Sequence, residues 1–181
     1  MEPITLPNKK YEIIYADPPW TYNDKASAGN RGAGFKYSLM TIDQIASLPV
    51  SEIAADNCVL FMWHVAPMPE EALRVVKAWG FTLKTMKGFT WAKQNKKSDG
   101  FFMGMGNWTR ANTEDCLIAV RGKPRRVDAS VRQLVISRLR SHSQKPDEVR
   151  NAIVQLMGDL PRIELFARQT AEGWDSWGNE L

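Results

Sequence analysis

Apolar runs of strand length recur along this 181-residue chain, and turn signals cut nearly all of them short. Tyr11 to Ala16, Asn57 to His64, Asp115 to Arg121, Leu134 to Arg140 and Arg162 to Ala167 each carry the aliphatic, β-branched and aromatic residues of a strand, and Phe81 to Trp91 reads as a strand or hairpin. Segments of helical character fall between them. Thr41 followed by Gln44 forms a capping box that opens a short helix closed by Pro49. A second helix, Ala72 to Trp79, follows Pro69, Glu70 and Glu71 and ends at Gly80; a third, Pro146 to Met157, stops at Gly158. Strands apolar on both faces need cover on both faces. The alternation therefore predicts a single α/β domain over residues 1–181, a mostly parallel sheet with helices on both faces and an antiparallel strand near an edge. Lys93 to Asn112, rich in Gly, Lys and Asn, reads as a long mobile loop of the kind that carries function.

Several classes of protein are excluded by what is missing. No apolar run approaches the roughly 20 residues of a spanning helix, and the first ten residues lack the apolar centre of a signal peptide. A cytoplasmic protein of a bacterial or phage-infected cell is the expectation, with no membrane partner. The two cysteines, Cys58 and Cys116, sit inside apolar runs without CxxC spacing, and the histidines are His64 and His142, so buried free thiols and no metal site are expected. A G-x-G-x-x-G loop is absent, which disfavours an NAD-type dinucleotide site.

The net charge of +4 is unevenly spread. Residues 84–150 hold 15 Lys/Arg against 6 Asp/Glu, whereas the segments before and after are net acidic. Trp91, Phe101, Phe102 and Trp108 are interleaved with those cations. Cations for phosphates and flat rings for bases are the composition of a nucleic-acid track, and this block reads as one lying beside the site.

The site itself is Asp17, Pro18, Pro19 and Trp20, placed where the first strand ends. In open α/β sheets ligands gather outside the carboxyl ends of the strands, so these four residues stand at the expected mouth. Asp17 offers a carboxylate acceptor and Pro18 a backbone carbonyl, Pro19 fixes the backbone dihedral that aims them, and Trp20 offers a face for stacking. Such a set suits a reaction at an N–H-bearing, weakly nucleophilic nitrogen, with no covalent enzyme intermediate.

These four residues, with Tyr37 to Thr41, Leu60 to Trp63, Lys77 to Phe81, Trp91 to Lys93, Gly106 to Trp108, Glu114 to Gly122, Ser143 to Glu148, Glu164 to Arg168 and Gly173 to Glu180, resemble the MT-A70 family at family spacing. That family comprises the Asp-Pro-Pro-Trp adenine-N6 methyltransferases, and the likeness is to its compact bacterial or phage members. The resemblance implies a Rossmann-like fold, S-adenosylmethionine as cofactor, and Asp17, Pro18, Pro19 and Trp20 as the catalytic set. It assigns Lys145, Phe166, Arg168, Trp174, Asn179 and Glu180 to the cofactor, Lys145 meeting its methionine carboxylate. Tyr22, Tyr37, Lys93, Asn107 and Trp108 fall where substrate contacts are expected. Trp79 is expected to be core packing, and His64 to lie near the mouth without acting as a base.

The resemblance implies site-specific methylation of adenine N6 in nucleic acid, DNA first and RNA second, by a monomer or homodimer or alongside a paralogous subunit. Flipping the base into the pocket is required if the substrate is a duplex. A catalytically silent nucleic-acid-binding subunit is the alternative from another class, disfavoured by the intact signature. Methylation of a small-molecule or protein amide is disfavoured by the aspartate at position 17.

Overall fold

The computed structural model describes residues 5–21, 40–141 and 143–181. Tyr22 and Tyr37 lie outside the described residues. Among the described residues seven strands form a single sheet: β1 (Tyr11–Ala16), β2 (Ala54–His64), β3 (Thr82–Gln94), β4 (Thr113–Arg121), β5 (Leu134–Arg138), β6 (Arg162–Leu165) and β7 (Asp175–Trp177). The helices are α1 (Ile42–Ser47), α2 (Val50–Ile53), α3 (Pro69–Ala78) and α4 (Asp147–Met157). Across the sheet the order is β5-β3-β4-β2-β1-β6-β7. β1 runs parallel to β2 and β6, β6 to β7, and β3 to β5, whereas β4 is antiparallel to both β2 and β3. This is the Rossmann-like α/β arrangement expected from the sequence. The reversed strand is interior and not near an edge, because the chain leaves β3, turns through residues 95–112 and returns beside it as a hairpin before meeting β2.

Alternation along β2 divides the core. Cys58, Leu60 and Met62 face one layer with α1, α2 and α3, while Val59, Phe61 and Trp63 face the other with α4. All six are at most 3% exposed, which is why the sequence of this strand is uniformly apolar. The capping box holds: Gln44 N–H donates to Thr41 Oγ1 at 3.2 Å and Thr41 N–H to Gln44 Oε1 at 2.8 Å. Trp79 is fully buried and its indole N–H donates to the Ile45 carbonyl at 2.9 Å, tying α3 to α1. Cys58 and Cys116 are buried free thiols. Among the described residues no helix is long and apolar enough to cross a membrane.

The cationic block divides in two. β4 carries the chain from the carboxyl ends of the parallel strands to their opposite ends, so Lys93, Arg138, Arg140 and Lys145 stand at one end, whereas Arg121, Lys123, Arg125 and Arg126 stand at the other. The expectation of a single track beside the site is corrected accordingly.

Candidate active site

β1 delivers Asp17 to the carboxyl end of the sheet, where β6, the start of β4 and the segment leading into α4 converge. They enclose a cavity of about 310 Å³ lined by Tyr15, Asp17, Ser141, Ser143, Gln144, Lys145, Arg150, Glu164, Phe166, Arg168, Gln169 and Glu180. Such a volume is at the lower end of the roughly 300–1,000 Å³ typical of small-molecule sites. Ser143 and Phe166, with φ of 58° and 60°, are the non-glycine residues in the left-handed region among the described residues, and both line it. Backbone strain of this kind persists where the surroundings hold a residue for a purpose beyond stability.

Lys145 organises the charges. Its Nζ lies 3.0 Å from Asp17 Oδ2 and 3.3 Å from Glu114 Oε2, over the ring of Trp63. Lys93 meets the other oxygen of Glu114 at 3.0 Å, so Lys93, Glu114, Lys145 and Asp17 form one continuous chain of alternating charge. Burial pushes the Asp17 carboxyl above the usual carboxylate range; Lys145 opposes that push and Glu114 adds to it. For Glu114 burial pushes the same way, but Lys145 and then Lys93 outweigh it and hold the carboxyl below its ordinary value. Burial alone would lower Lys145, yet Asp17 and Glu114 raise it, so the ammonium stays charged. On the opposite wall Arg150 Nε lies 3.0 Å from Glu164 Oε2, whose carboxyl is raised by burial against the pull of Arg150. Tyr15 accepts a hydrogen bond from the Trp63 indole at 2.7 Å, and Arg168 Nε reaches Glu180 Oε2 at 3.5 Å.

A family model described as MT-A70 matches residues 11–180. The chain belongs to the MT-A70 family. It is 36% identical to the Type II methyltransferase M.MunI of a Mycoplasma species, over 97% of this chain and 80% of that protein. It is 28% identical to the N(6)-adenosine-methyltransferase MT-A70-like protein of Arabidopsis thaliana, over 94% of this chain and 24% of that protein. With the human N(6)-adenosine-methyltransferase catalytic subunit METTL3 the identity is 27%, over 95% of this chain and 28% of that protein. The chain thus spans about a quarter of the length of these eukaryotic relatives.

Within this MT-A70 domain the expected residues separate by position. Asp17, Lys145, Phe166, Arg168 and Glu180 converge on the cavity. Asn179 is exposed beside Glu180 and does not line it. Trp174 does not line it either: its ring packs on Tyr15 at 5.8 Å and is covered by the Arg162 guanidinium at 5.5 Å, leaving it 8% exposed. Trp20 is 9% exposed, with its indole N–H donated to the Trp63 carbonyl at 2.9 Å, so most of its face is committed to packing. The Pro18 carbonyl accepts from Trp20 N–H at 2.9 Å, which leaves one lone pair. Lys93 joins the site through Glu114, while Asn107 and Trp108 project from the β3–β4 connection, Trp108 99% exposed. That connection extends the hairpin beyond its strands, with Phe102 N–H donating to the Lys93 carbonyl and Gly104 N–H to that of Ala111. His64 Nε2 is 2.9 Å from the Met86 carbonyl, outside the cavity lining.

Sequence reasoning gave no role to Glu114, Arg150 or Glu164. The available signal was a carboxylate embedded in an otherwise apolar strand, Glu164 between Ile163 and Leu165 and Glu114 just ahead of Cys116 to Val120.

Proposed function

We propose that this chain is the catalytic domain of a site-specific DNA adenine-N6 methyltransferase of the compact bacterial or phage type. The carrying observation is Asp17: a partly buried carboxylate fixed 3.0 Å from Lys145, at the mouth of a cavity whose other groups suit the cofactor. Fit is judged from that donor set. Arg168 and Lys145 present positive charge to a carboxylate, Glu180 and Glu164 present acceptors to ribose hydroxyls, and Phe166 presents an apolar face. When bound, S-adenosylmethionine supplies an electrophilic methyl group. Asp17 accepts a hydrogen bond from the adenine amino group and the free lone pair of the Pro18 carbonyl a second, holding N6 oriented for attack. Lys145 holds Asp17 in place and favours its ionised form, opposing the burial that raises its pKa. Trp20, packed against β2, fixes the loop and leaves only an edge for the base. Asn179 and Trp174 act at most from behind this wall.

DNA is favoured over RNA by the Mycoplasma relative, which this chain matches over most of both lengths. Buried free thiols suit a reducing, cytoplasmic setting. We assign Asn107 and Trp108, carried outward on the hairpin, to contact with the duplex, with the protein acting as a monomer or homodimer. The test is transfer of a tritiated methyl group to duplex DNA. Asp17→Ala is expected to fold as the parent does, with circular dichroism unchanged, and to lose at least about 100-fold in rate, the scale of one preorganised polar contact. Retained activity would remove Asp17 from the chemistry, and N6-methyladenine appearing in host RNA but not DNA would overturn the choice of substrate.

A further inference from the structure

Resting on the reading of this chain as a duplex-DNA methyltransferase, we propose that the β3–β5 side of the sheet and its far end are a sequence-independent contact for DNA phosphates flanking the target base. Pairing of the cations carries the argument. At the site end most of the cations are neutralised: Lys93 by Glu114, Arg138 by Asp99, Arg140 by Asp147 and Glu148, Lys145 by Asp17 and Glu114. Among the described residues the side chains of Lys84, Lys123, Arg125, Arg126 and Arg132 have no such partner and are exposed, as are Lys96, Lys97 and Arg110 in the β3–β4 connection at the site end. The single carboxylate between residues 121 and 133, Asp128, is occupied by Ser130 and Gln155.

Their placement traces a line. β5 pairs with β3 only from Thr90 onward, so Thr82 to Gly88 form an open strand edge that carries Lys84. Gln133, next to Arg132, donates to the Lys87 carbonyl at 2.6 Å, which puts Arg132 beside that edge. Lys123 is anchored next to Asn57 at the far end, where its backbone N–H meets Asn57 Oδ1 at 2.8 Å. From Glu114 to Arg121 along β4 is about 24 Å at roughly 3.4 Å per residue, and Lys123 lies two residues further, about 30 Å from the site. That distance is eight to nine base pairs at roughly 3.4 Å each. A duplex presenting its target adenine to Asp17 and running down this side would meet the unpaired cations within one helical turn.

Lys123→Gln/Arg125→Gln/Arg126→Gln is the test, made in the Asp17→Ala parent so that binding is read without turnover. The probe is a fluorescein-labelled 30-base-pair duplex followed by anisotropy across 50–300 mM salt, beside an 8-base-pair duplex and a 30-nucleotide single strand. Removing three phosphate contacts should make the slope of log K against log salt shallower by about 2.7, at about 0.9 per contact, and weaken the long duplex at least about tenfold at 100 mM. Affinity for the short duplex and the melting temperature should not change. Lys84→Gln/Arg132→Gln provides a second variant with the same expectation and a smaller slope change. The cations also lie near the carboxyl end of α4, whose Leu156 carbonyl accepts from Val127 N–H. A lower melting temperature with unchanged duplex affinity would show that they serve that helix end and overturn the proposal. Equal weakening on the short duplex, or wild-type preference for the single strand, would overturn it too. Long-duplex binding lost as expected but without any methyl transfer by the wild-type protein would instead refute the catalytic reading and leave this surface standing.

Discussion

Replacing Lys145 with methionine removes the ammonium standing between two partly buried carboxylates, and the consequence can be worked through pH. At an effective dielectric near 20, attractions over 3.0 and 3.3 Å are each worth about 5 kcal/mol before the cost of desolvating the ammonium is set against them. Removing one member of such a partly buried group costs about 3–5 kcal/mol net, since Asp17 loses its nearest counter-charge and Glu114 keeps only Lys93. In the parent the two carboxyls shift in opposite directions, Asp17 above and Glu114 below its ordinary value. The raised group favours folding most below its unfolded pKa and loses that contribution as pH rises through the folded value. The depressed group favours folding above its unfolded pKa and loses that contribution as pH falls. Their slopes therefore oppose one another. In Lys145→Met the pull of Lys145 is gone while Lys93 still offsets burial at Glu114; Asp17 moves further up, Glu114 rises from its depressed value, and stability falls as pH rises above the unfolded carboxylate range. Urea unfolding at pH 8.0 should show the full loss of about 3–5 kcal/mol, and at pH 5.5 the loss should shrink by at least about 1.4 kcal/mol, one unit of pKa shift. An equal loss at both pH values would refute the reading of Lys145 as the electrostatic pivot of the site.

Two further outcomes follow from contacts described above. Arg168→Ala removes a cation from the cavity wall and should raise the dissociation constant for S-adenosylmethionine about tenfold or more in calorimetry, the scale of one charge-assisted hydrogen bond; unchanged affinity would take Arg168 out of the cofactor site. Gly122 has a φ of +69° and a Cβ there would lie 2.2 Å from the Asp56 carbonyl oxygen, so Gly122→Ala should cost about 2 kcal/mol or more in chemical unfolding while activity per folded molecule persists.

What the sequence disclosed, and where it fell silent, follows from which interactions are local. Caps, turns and buried strands are written within a few residues, so α3, α4 and most of the strands were legible with their Pro and Gly boundaries. β7, Asp175–Trp177, was not, since three residues with one buried side chain show no alternation. The direction of β4 was hidden for a different reason. An 18-residue connection is long enough for a crossover, and only its pairing reveals a hairpin. Asp17 could be read from its own tetrapeptide, but Glu114 acquires meaning from Lys145, and Glu164 from Arg150, residues remote in sequence. The charge count misled where it treated sequence neighbours as spatial ones, because β4 moves the chain from one end of the sheet to the other inside the cationic block.

That reversed strand also bears on the order in which the protein assembles. The β3–β4 hairpin closes a short loop and can form while the chain is otherwise open, whereas the pairing of β1 with β6 joins residues about 150 apart and carries the larger entropic cost of closure. The charged groups of the site come from both kinds of contact: Glu114 from the hairpin, Asp17 and Glu164 from the pairing of β1 with β6, and Lys145 from the segment that enters α4. The charged groups of the site therefore come together only when that long-range pairing has formed. A partly folded chain would hold its hairpin and its cations without a competent centre.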